Sequence, residues 1–553
     1  MRRVNQKWVL LIAVVAAIAL ATSARQVTSS SAQSVVNATS YNVKTFGAVG
    51  DGKILDTSAI NKTIDAAAAS GGGTVYFPAG NYLSVSIHLK SNISLYLDQG
   101  ATIIAANTSN EVKYDPPEPN EWDKYQDFGH SHWHNSLIWG ENLTNVSILG
   151  PGMIWGKGLV RGGGQSRTQQ QNDALNAARA TEAKTPFGYP NPRDAVEPGW
   201  ANKSIALKLC RNVVIRDISI LHGGHFAILA TGVDNLTIDN VKIDTNRDGI
   251  DVDACKNVRI SNCTVNSPFD DAICPKSSFA LGYARATENV TITNCQVSGY
   301  DEGTLLDGTY KRDYNRYSVS GPTGRIKFGT ESNGGFKNIT IDNCVFDYCR
   351  GLALESVDGG LLEDVTISNI TMRDVANCPI FMRLGSRMRG PAGATVGELR
   401  RVTVSNVVVY NAAPKYASII SGIPGHDIED ITLSNIRIYY KGGGTKQQAA
   451  LEPPEKETDY PEPAMFGEMP AYGFFVRHVR GLEMNAVRVS YAKDDVRAPF
   501  ILTNAKSVDL RDIKAHHAPN VATFILKDVE DFSLQHSWPL RDIRLTKVVK
   551  QQF

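Results

Sequence analysis

Three aspartates stand in two short segments, Thr245-Asn246-Arg247-Asp248-Gly249-Ile250-Asp251 and Ser267-Pro268-Phe269-Asp270-Asp271-Ala272-Ile273-Cys274. Their offset, 270 − 248 = 22, has chemical meaning only if the chain repeats with that period. Asp248 and the Asp270-Asp271 pair would then lie on adjacent rungs, roughly 5 Å apart in backbone. Carboxylates so close repel one another and their proton affinities separate. One then keeps a proton as general acid while another stays ionised as general base. Asp-Gly is also a common turn pair, so Asp248 alone says little; the one-coil register with a double Asp favours chemistry. In Gly324-Arg325-Ile326-Lys327-Phe328-Gly329 the two cations alternate around Ile326 and point to the same side of a strand. Two outward cations beside three acids suit an anionic ligand such as a carboxylated sugar. His225 precedes Asp248 by 248 − 225 = 23 residues and can reach the same cleft, as can Arg383.

A repeat must position these groups, and the chain contains one. NVVIRDISI starts at Asn212, NLTIDNVKI at Asn235, NVRISNCTV at Asn257 and NVTITNCQV at Asn289. Further copies begin at Asn338, Asp364, Arg401 and Asp430, weaker ones at Gly481 and Ser507, and early ones at Asn92 and Asn145. The tightest spacings, 235 − 212 = 23 and 257 − 235 = 22, are those of a solenoid. Period-two alternation of β-branched residues makes each unit strand, not helix. Stacked coils bury the apolar face that a single unit cannot. A leucine-rich repeat would place Leu at fixed offsets, whereas Ile and Val stand there and Asn takes the bend. The expected fold is all-β, a single-stranded right-handed parallel β-helix, with a short capping helix over Asp56 to Ser70 that hides an edge strand. Wider gaps at 157–200, 300–325, 385–398 and 441–475 read as loops of a binding face. The last holds five prolines and is expected to be ordered by them rather than by a helix. Several N-x-[ST] triplets coincide with the corner Asn, which favours a structural role over glycosylation.

Composition narrows the class. Lys+Arg is 57 and Asp+Glu is 56, so the net charge is 57 − 56 = +1, which excludes the broad basic surface that nucleic acid or an anionic membrane requires. Arg2, Arg3 and Lys7 followed by the apolar run Val9 to Ala21 resemble a secretory leader over 1–24, with a linker over 25–40. The remainder, 41–553, is expected to be one β-helix domain, secreted or periplasmic, acting as a monomer away from the membrane. The eight cysteines fit no zinc spacing; they are either disulfides or a stack of free thiols, since Cys263, Cys295 and Cys344 share one repeat position. His130, His132 and His134 would share a face on a strand, as metal ligands do, but sugar contact or a structural role is favoured, and no metal or cofactor is expected.

The segments Tyr41 to Gly52 and Gly71 to Gly80 resemble the start of the pectate-lyase-like β-helix superfamily. The acids and cations resemble glycoside hydrolase family 28, the polygalacturonase family, with its Asn-Thr-Asp-Gly, Gly-Asp-Asp, Gly-His-Gly and Arg-Ile-Lys motifs. The resemblance implies hydrolysis of galacturonic-acid-containing pectic poly- or oligosaccharide with inversion. It implies Asp270 as general acid, Asp271 and Asp248 as the groups activating water, and Arg325 and Lys327 as binders of a substrate carboxylate. Three departures stand out: Arg247 replaces Thr, Phe269 replaces Gly, and Glu302 in Asp301-Glu302-Gly303 replaces the histidine. The last directs attention to rhamnogalacturonan as an alternative substrate. A calcium-dependent β-eliminating enzyme of the same fold and a non-catalytic binding β-helix are the competing classes. Walling of one groove end by the loops at 157–200 and 441–475 favours exo cleavage.

Overall fold

Each repeat copy turns at a residue with left-handed backbone: φ is positive at Asn92, Asn145, Asn212, Asn235, Asn257, Asn289, Asn338, Asp364, Arg401, Asp430, Gly481 and Ser507. Asn tolerates this conformation because its short amide bonds locally. The amides also bond from coil to coil, with Asn235 Nδ2 donating to Asn212 Oδ1 at 2.9 Å and Asn257 Nδ2 to Asn235 Oδ1 at 3.2 Å. The ladder runs on through Asn289 and Asn338. The N-x-[ST] asparagines of these coils therefore have a structural use.

The computed structural model describes residues 40–126, 129–160, 199–313 and 321–553. The expected leader over 1–24, residues 25–39 of the expected linker, and residues 161–198 and 314–320 of the expected loops over 157–200 and 300–325 lie outside them. Ser40 belongs to the first strand, where it pairs with Thr74. Ser40–Phe553 folds as a right-handed parallel β-helix. Coil lengths follow from the register. Val213 pairs with Leu236 and Leu236 with Val258, steps of 23 and 22 residues. Later steps of 32 (Val258 to Val290), 49 (Val290 to Ile339), 37 (Val365 to Val402) and 51 (Ile431 to Leu482) carry the inserted loops. The insertion that makes the step of 32 had no counterpart among the expected loops.

Inward Ile, Val and Leu of successive coils form one continuous core. The helix α1, Thr57–Ala69, buries Ile60, Ile64 and Ala67 and covers the first coils. At the other end, Phe524–Gln535 meets Ile543–Gln552 in an antiparallel pair, a closure the repeat did not announce. All eight cysteines are free and buried. The 441–475 loop does hold one helical turn, Lys446–Ala449, because Thr445 and Gln448 form a reciprocal cap, and a 3₁₀ turn at Pro463–Phe466.

The site rests on one face of this solenoid. Strands β1 (Ile87–His88), β2 (Ile138–Glu141), β3 (Lys203–Lys208), β4 (Phe226–Thr231), β5 (Asp248–Asp253) and β6 (Ile273–Lys276) pair in that order, all parallel. The face continues through the Ile273–Ile326 bridge to β7 (Lys327–Phe328), β8 (Leu352–Ser356) and β9 (Ile380–Leu384).

Candidate active site

Asp248 opens β5 and is buried beside β4, with Phe226 as its register partner. Gly249 follows because a Cβ there would come within 2.4 Å of Ala272 O and Val265 Cγ1. The coil from β5 to β6 runs 273 − 250 = 23 residues between paired Ile250 and Ile273, not the 22 counted from Asp248 to Asp270. The extra residue moves Asp271 alongside Asp248. Its N–H donates to Asp248 Oδ1 at 3.2 Å and to Asp270 Oδ1 at 3.1 Å. The three acids are thus together as expected, with the second of the pair, not the first, in register.

Their charges differ sharply. Asp271 is buried; Arg325 Nε donates to its Oδ1 at 2.9 Å and Lys327 Nζ lies 2.8 Å from its Oδ2. Burial alone would raise its proton affinity, but Lys327 and Arg325 outweigh that and hold the carboxyl far below the ordinary range. Asp248 is pushed well above that range, first by burial, then by the charges of Asp251 and Asp270, against the pull of Lys276. Lys276 Nζ lies 3.8 Å from Asp248, 3.6 Å from Asp251 and 3.3 Å from Glu331. Asp270 is the one of the three that is partly exposed, and Arg247 Nη2 stands 2.7 Å from its Oδ2. Arg247, which the sequence places beside Asp248, therefore pairs with the neighbouring coil's acid. It also reaches His225 Nε2 at 3.3 Å.

His225 is buried in this cluster. One of its ring nitrogens and a carboxylate oxygen from each of Asp248 and Asp270 lie within 4.8 Å of one another, as do corresponding atoms of His130, Asp248 and Asp251. Either trio has donors that suit a cation, but Arg247 and Lys276 already supply positive charge to both. The three histidines of the 130–134 run diverge. His130 Nε2 lies 3.4 Å from Asp251, His132 Nε2 lies 3.3 Å from Asp123, and His134 Nε2 lies 3.0 Å from Glu141. That stretch is turn rather than strand, so the shared metal-binding face does not form. Glu302 meets His222 Nδ1 at 2.7 Å, which brings a histidine to this turn from a different coil. The turn itself is held by Asp244, which accepts from the N–H groups of Gly303, Leu305 and Leu306 at 2.9 to 3.0 Å.

Arg325 and Lys327 do share one side of their strand, but they are buried rather than outward. The loop between Gly442 and Ala471 covers them. Its Glu462 binds Arg325 Nη2 and lies 3.1 Å from Arg350 Nη1, and the ring of Tyr460 lies 5.8 Å from Lys327 Nζ. Glu355 on β8 is fully buried 4.0 Å from Arg325; burial raises its carboxyl to about 8 even against Lys327 and Arg325. Arg383, proposed from sequence as a cleft residue, instead fastens this loop, donating to the carbonyls of Glu455 and Lys456 at 2.9 and 3.0 Å. Lys276, Glu355 and Glu462 had no motif to mark them. The prolines around Glu462 were the one available sign.

Comparison with known proteins bears on the fold and on the class of reaction. The family described as rhamnogalacturonase A/epimerase, pectate lyase-like, matches residues 40–181, and right handed beta helix region matches 199–311. A probable polygalacturonase of Vitis vinifera is 23% identical over 418 residues, 71% of this chain and 73% of that one. An exo-poly-alpha-D-galacturonosidase of Dickeya chrysanthemi is 24% identical over 376 residues, 62% of this chain and 56% of that one. These likenesses support a polygalacturonase-like glycosidase. The solved family 28 exopolygalacturonase of Yersinia enterocolitica shares the fold, with a TM-score of 0.61 at 19% identity over 87% of this chain and 79% of that one. Within this glycosidase, the Arg247 and Glu302 departures are each matched by a partner, Asp270 and His222 respectively.

Proposed function

We propose that this hydrolase cleaves galacturonic-acid-containing pectic chains with inversion, and that Asp248 and Asp270 together carry the catalytic proton. The supporting observation is the split within one cluster: Asp271 is held ionised by two cations, while burial and neighbouring acids hold a proton on Asp248. A carboxylate oxygen of Asp248 and one of Asp270 lie within 4.8 Å of each other, so a proton can pass between them through one water. Asp270, the exposed member, delivers it to the leaving oxygen. Asp271 orients the attacking water and its fixed negative charge favours the cationic sugar of the transition state. Asp248, now ionised, accepts the water's proton and the pair regains its starting state. The leader-like N-terminus supports action outside the cytoplasm, and no helix among the described residues is long and apolar enough to cross a membrane. The 443–470 loop over the cations supports attack from a chain end.

The test is product analysis on polygalacturonan, rhamnogalacturonan and short oligomers, with the anomer followed by NMR. Saturated products of inverted configuration, appearing first as monomer or dimer, are expected. Products that absorb in the ultraviolet, and vanish with a calcium chelator, would establish β-elimination instead. A rapid fall in viscosity with little reducing sugar would refute exo attack, and Asp270→Asn with normal turnover would remove Asp270 as the acid.

A further inference from the structure

The pair Arg325 and Arg350 presents a carboxylate site, and the chain fills it itself. Glu462 Oε1 binds Arg325 Nη2 and stands 3.1 Å from Arg350 Nη1. Its side chain is 19% exposed, against 2% for Arg325, so of this pair it is the acid that meets solvent. Arg350 Nε is buried and meets no acceptor among the described residues, so this guanidinium keeps a donor to spare. Two residues before Glu462, the half-exposed ring of Tyr460 sits beside Lys327 and lies 5.7 Å from the guanidinium of Arg387. An aromatic face next to a carboxylate-binding guanidinium pair is the equipment for a uronic acid: ring against ring, carboxylate against the fork.

The loop does not depend on Glu462 for its place. Arg477 donates to the carbonyls of Pro453 and Pro454 at 2.9 and 3.0 Å, and Arg383 to those of Glu455 and Lys456. Ser386 N–H donates to Glu457 O at 2.8 Å. At the far end Phe466 packs in a buried cluster with Phe381 and Met469. Glu462 is therefore held over the cations by anchors on both sides, and its own ion pairs are not what closes the loop.

We propose that Glu462 is a specificity-determining residue, an internal stand-in that occupies a uronate-carboxylate subsite between Arg325 and Arg350. This rests on the reading of the site as one for acidic sugars. While Glu462 is in place, a sugar carboxylate must displace it, so the position accepts a neutral sugar or an acidic one only weakly. Removing its charge returns the arginine pair to the substrate.

The experiment measures binding of free galacturonate, with galactose as the neutral control, to the full chain and to Glu462→Ala and Glu462→Gln by calorimetry. Expected is galacturonate binding about tenfold tighter in Glu462→Ala, a smaller gain in Glu462→Gln, and galactose binding unchanged in both. The gain should disappear in Glu462→Ala/Arg350→Met. Galacturonate affinity that is unchanged or weaker in the single variants would overturn the proposal, as would a gain that survives loss of Arg350. Glu462→Gln keeps the side chain's size and decides the matter if the alanine variant fails to fold. Because the readout is binding, absence of pectic-chain hydrolysis would refute the catalytic reading while leaving this outcome separately legible.

Discussion

Glu355 offers the sharpest quantitative test of the site's electrostatics. Its carboxyl is fully buried and raised to about 8, chiefly by burial, with Glu462 and Asp271 pushing the same way against Lys327 and Arg325. In an unfolded chain it returns to the ordinary value near 4.3. At pH 7 the folded protein therefore keeps a proton there that the unfolded chain has released. The sign follows directly: the folded state binds more protons between about pH 4.3 and pH 8, so this group's contribution to stability falls as pH rises through that window. At roughly 1.4 kcal/mol per pH unit, the penalty at pH 7 is about 3 to 4 kcal/mol. Glu355→Gln keeps the shape and removes the ionisation. For a β-helix of roughly 500 residues, the unfolding entropy is about 1 kcal/mol/K, so the variant should melt about 3 °C above the parent at pH 7. The gap should shrink towards zero as pH falls to about 4.5, where the unfolded parent is nearly half protonated. Thermal midpoints by calorimetry at matched ionic strength, from pH 4.5 to 8.5, measure it. A gap that does not vary with pH, or a parent that gains stability relative to the variant as pH rises, would refute the argument that burial outweighs the two cations at Glu355.

Other outcomes follow from the same geometry. Asp271→Asn leaves Arg325 and Lys327 facing each other in the interior and should cost about 3 to 5 kcal/mol, together with loss of turnover, read from the thermal midpoint and kcat. Asp248→Asn should lower kcat by roughly 10²- to 10⁴-fold and abolish the alkaline limb of the rate profile, because that limb reports loss of the proton that burial holds on Asp248; an unchanged limb would place the proton elsewhere. Asn257→Ala loses both the tolerance of φ 56° and two rungs of the amide ladder, so it should be less stable than Asn257→Gly, the reverse of their order in ordinary helix or strand. A thiol reagent should label none of the eight buried cysteines in the native protein and all of them in denaturant.

How much of this was legible in the sequence depended on how local the cause was. The coil corners were legible, since a left-handed turn selects Asn residue by residue and the amide ladder repeats with the coil. The neighbourhood of Asp248, Asp270 and Asp271 followed from the period, although one extra residue shifted which aspartate is in register. The near-zero net charge looked featureless until the register was known. One corner of the solenoid in fact alternates in sign, Arg211, Asp234, Lys256, Glu288, Lys337, Glu363, Arg400 and Glu429 being successive partners, with Lys256 2.7 Å from Glu288 and Arg400 2.9 Å from Glu363. Each exposed pair stabilises little, but through these eight partners the alternation avoids stacking like charges; only further on does Arg480 meet Lys506.

By itself the sequence determined the solenoid, its period and the group of acids and cations, because each rests on short-range pattern that every coil restates. Tertiary structure alone decided what those groups are. Whether Asp248 holds its proton, whether Arg325 faces solvent or Glu462, and whether Arg247 serves its own coil or the next depend on burial and on side chains up to 137 residues away. Proton affinity and charge pairing are set by the dielectric and the neighbours around a group, and no single coil contains either.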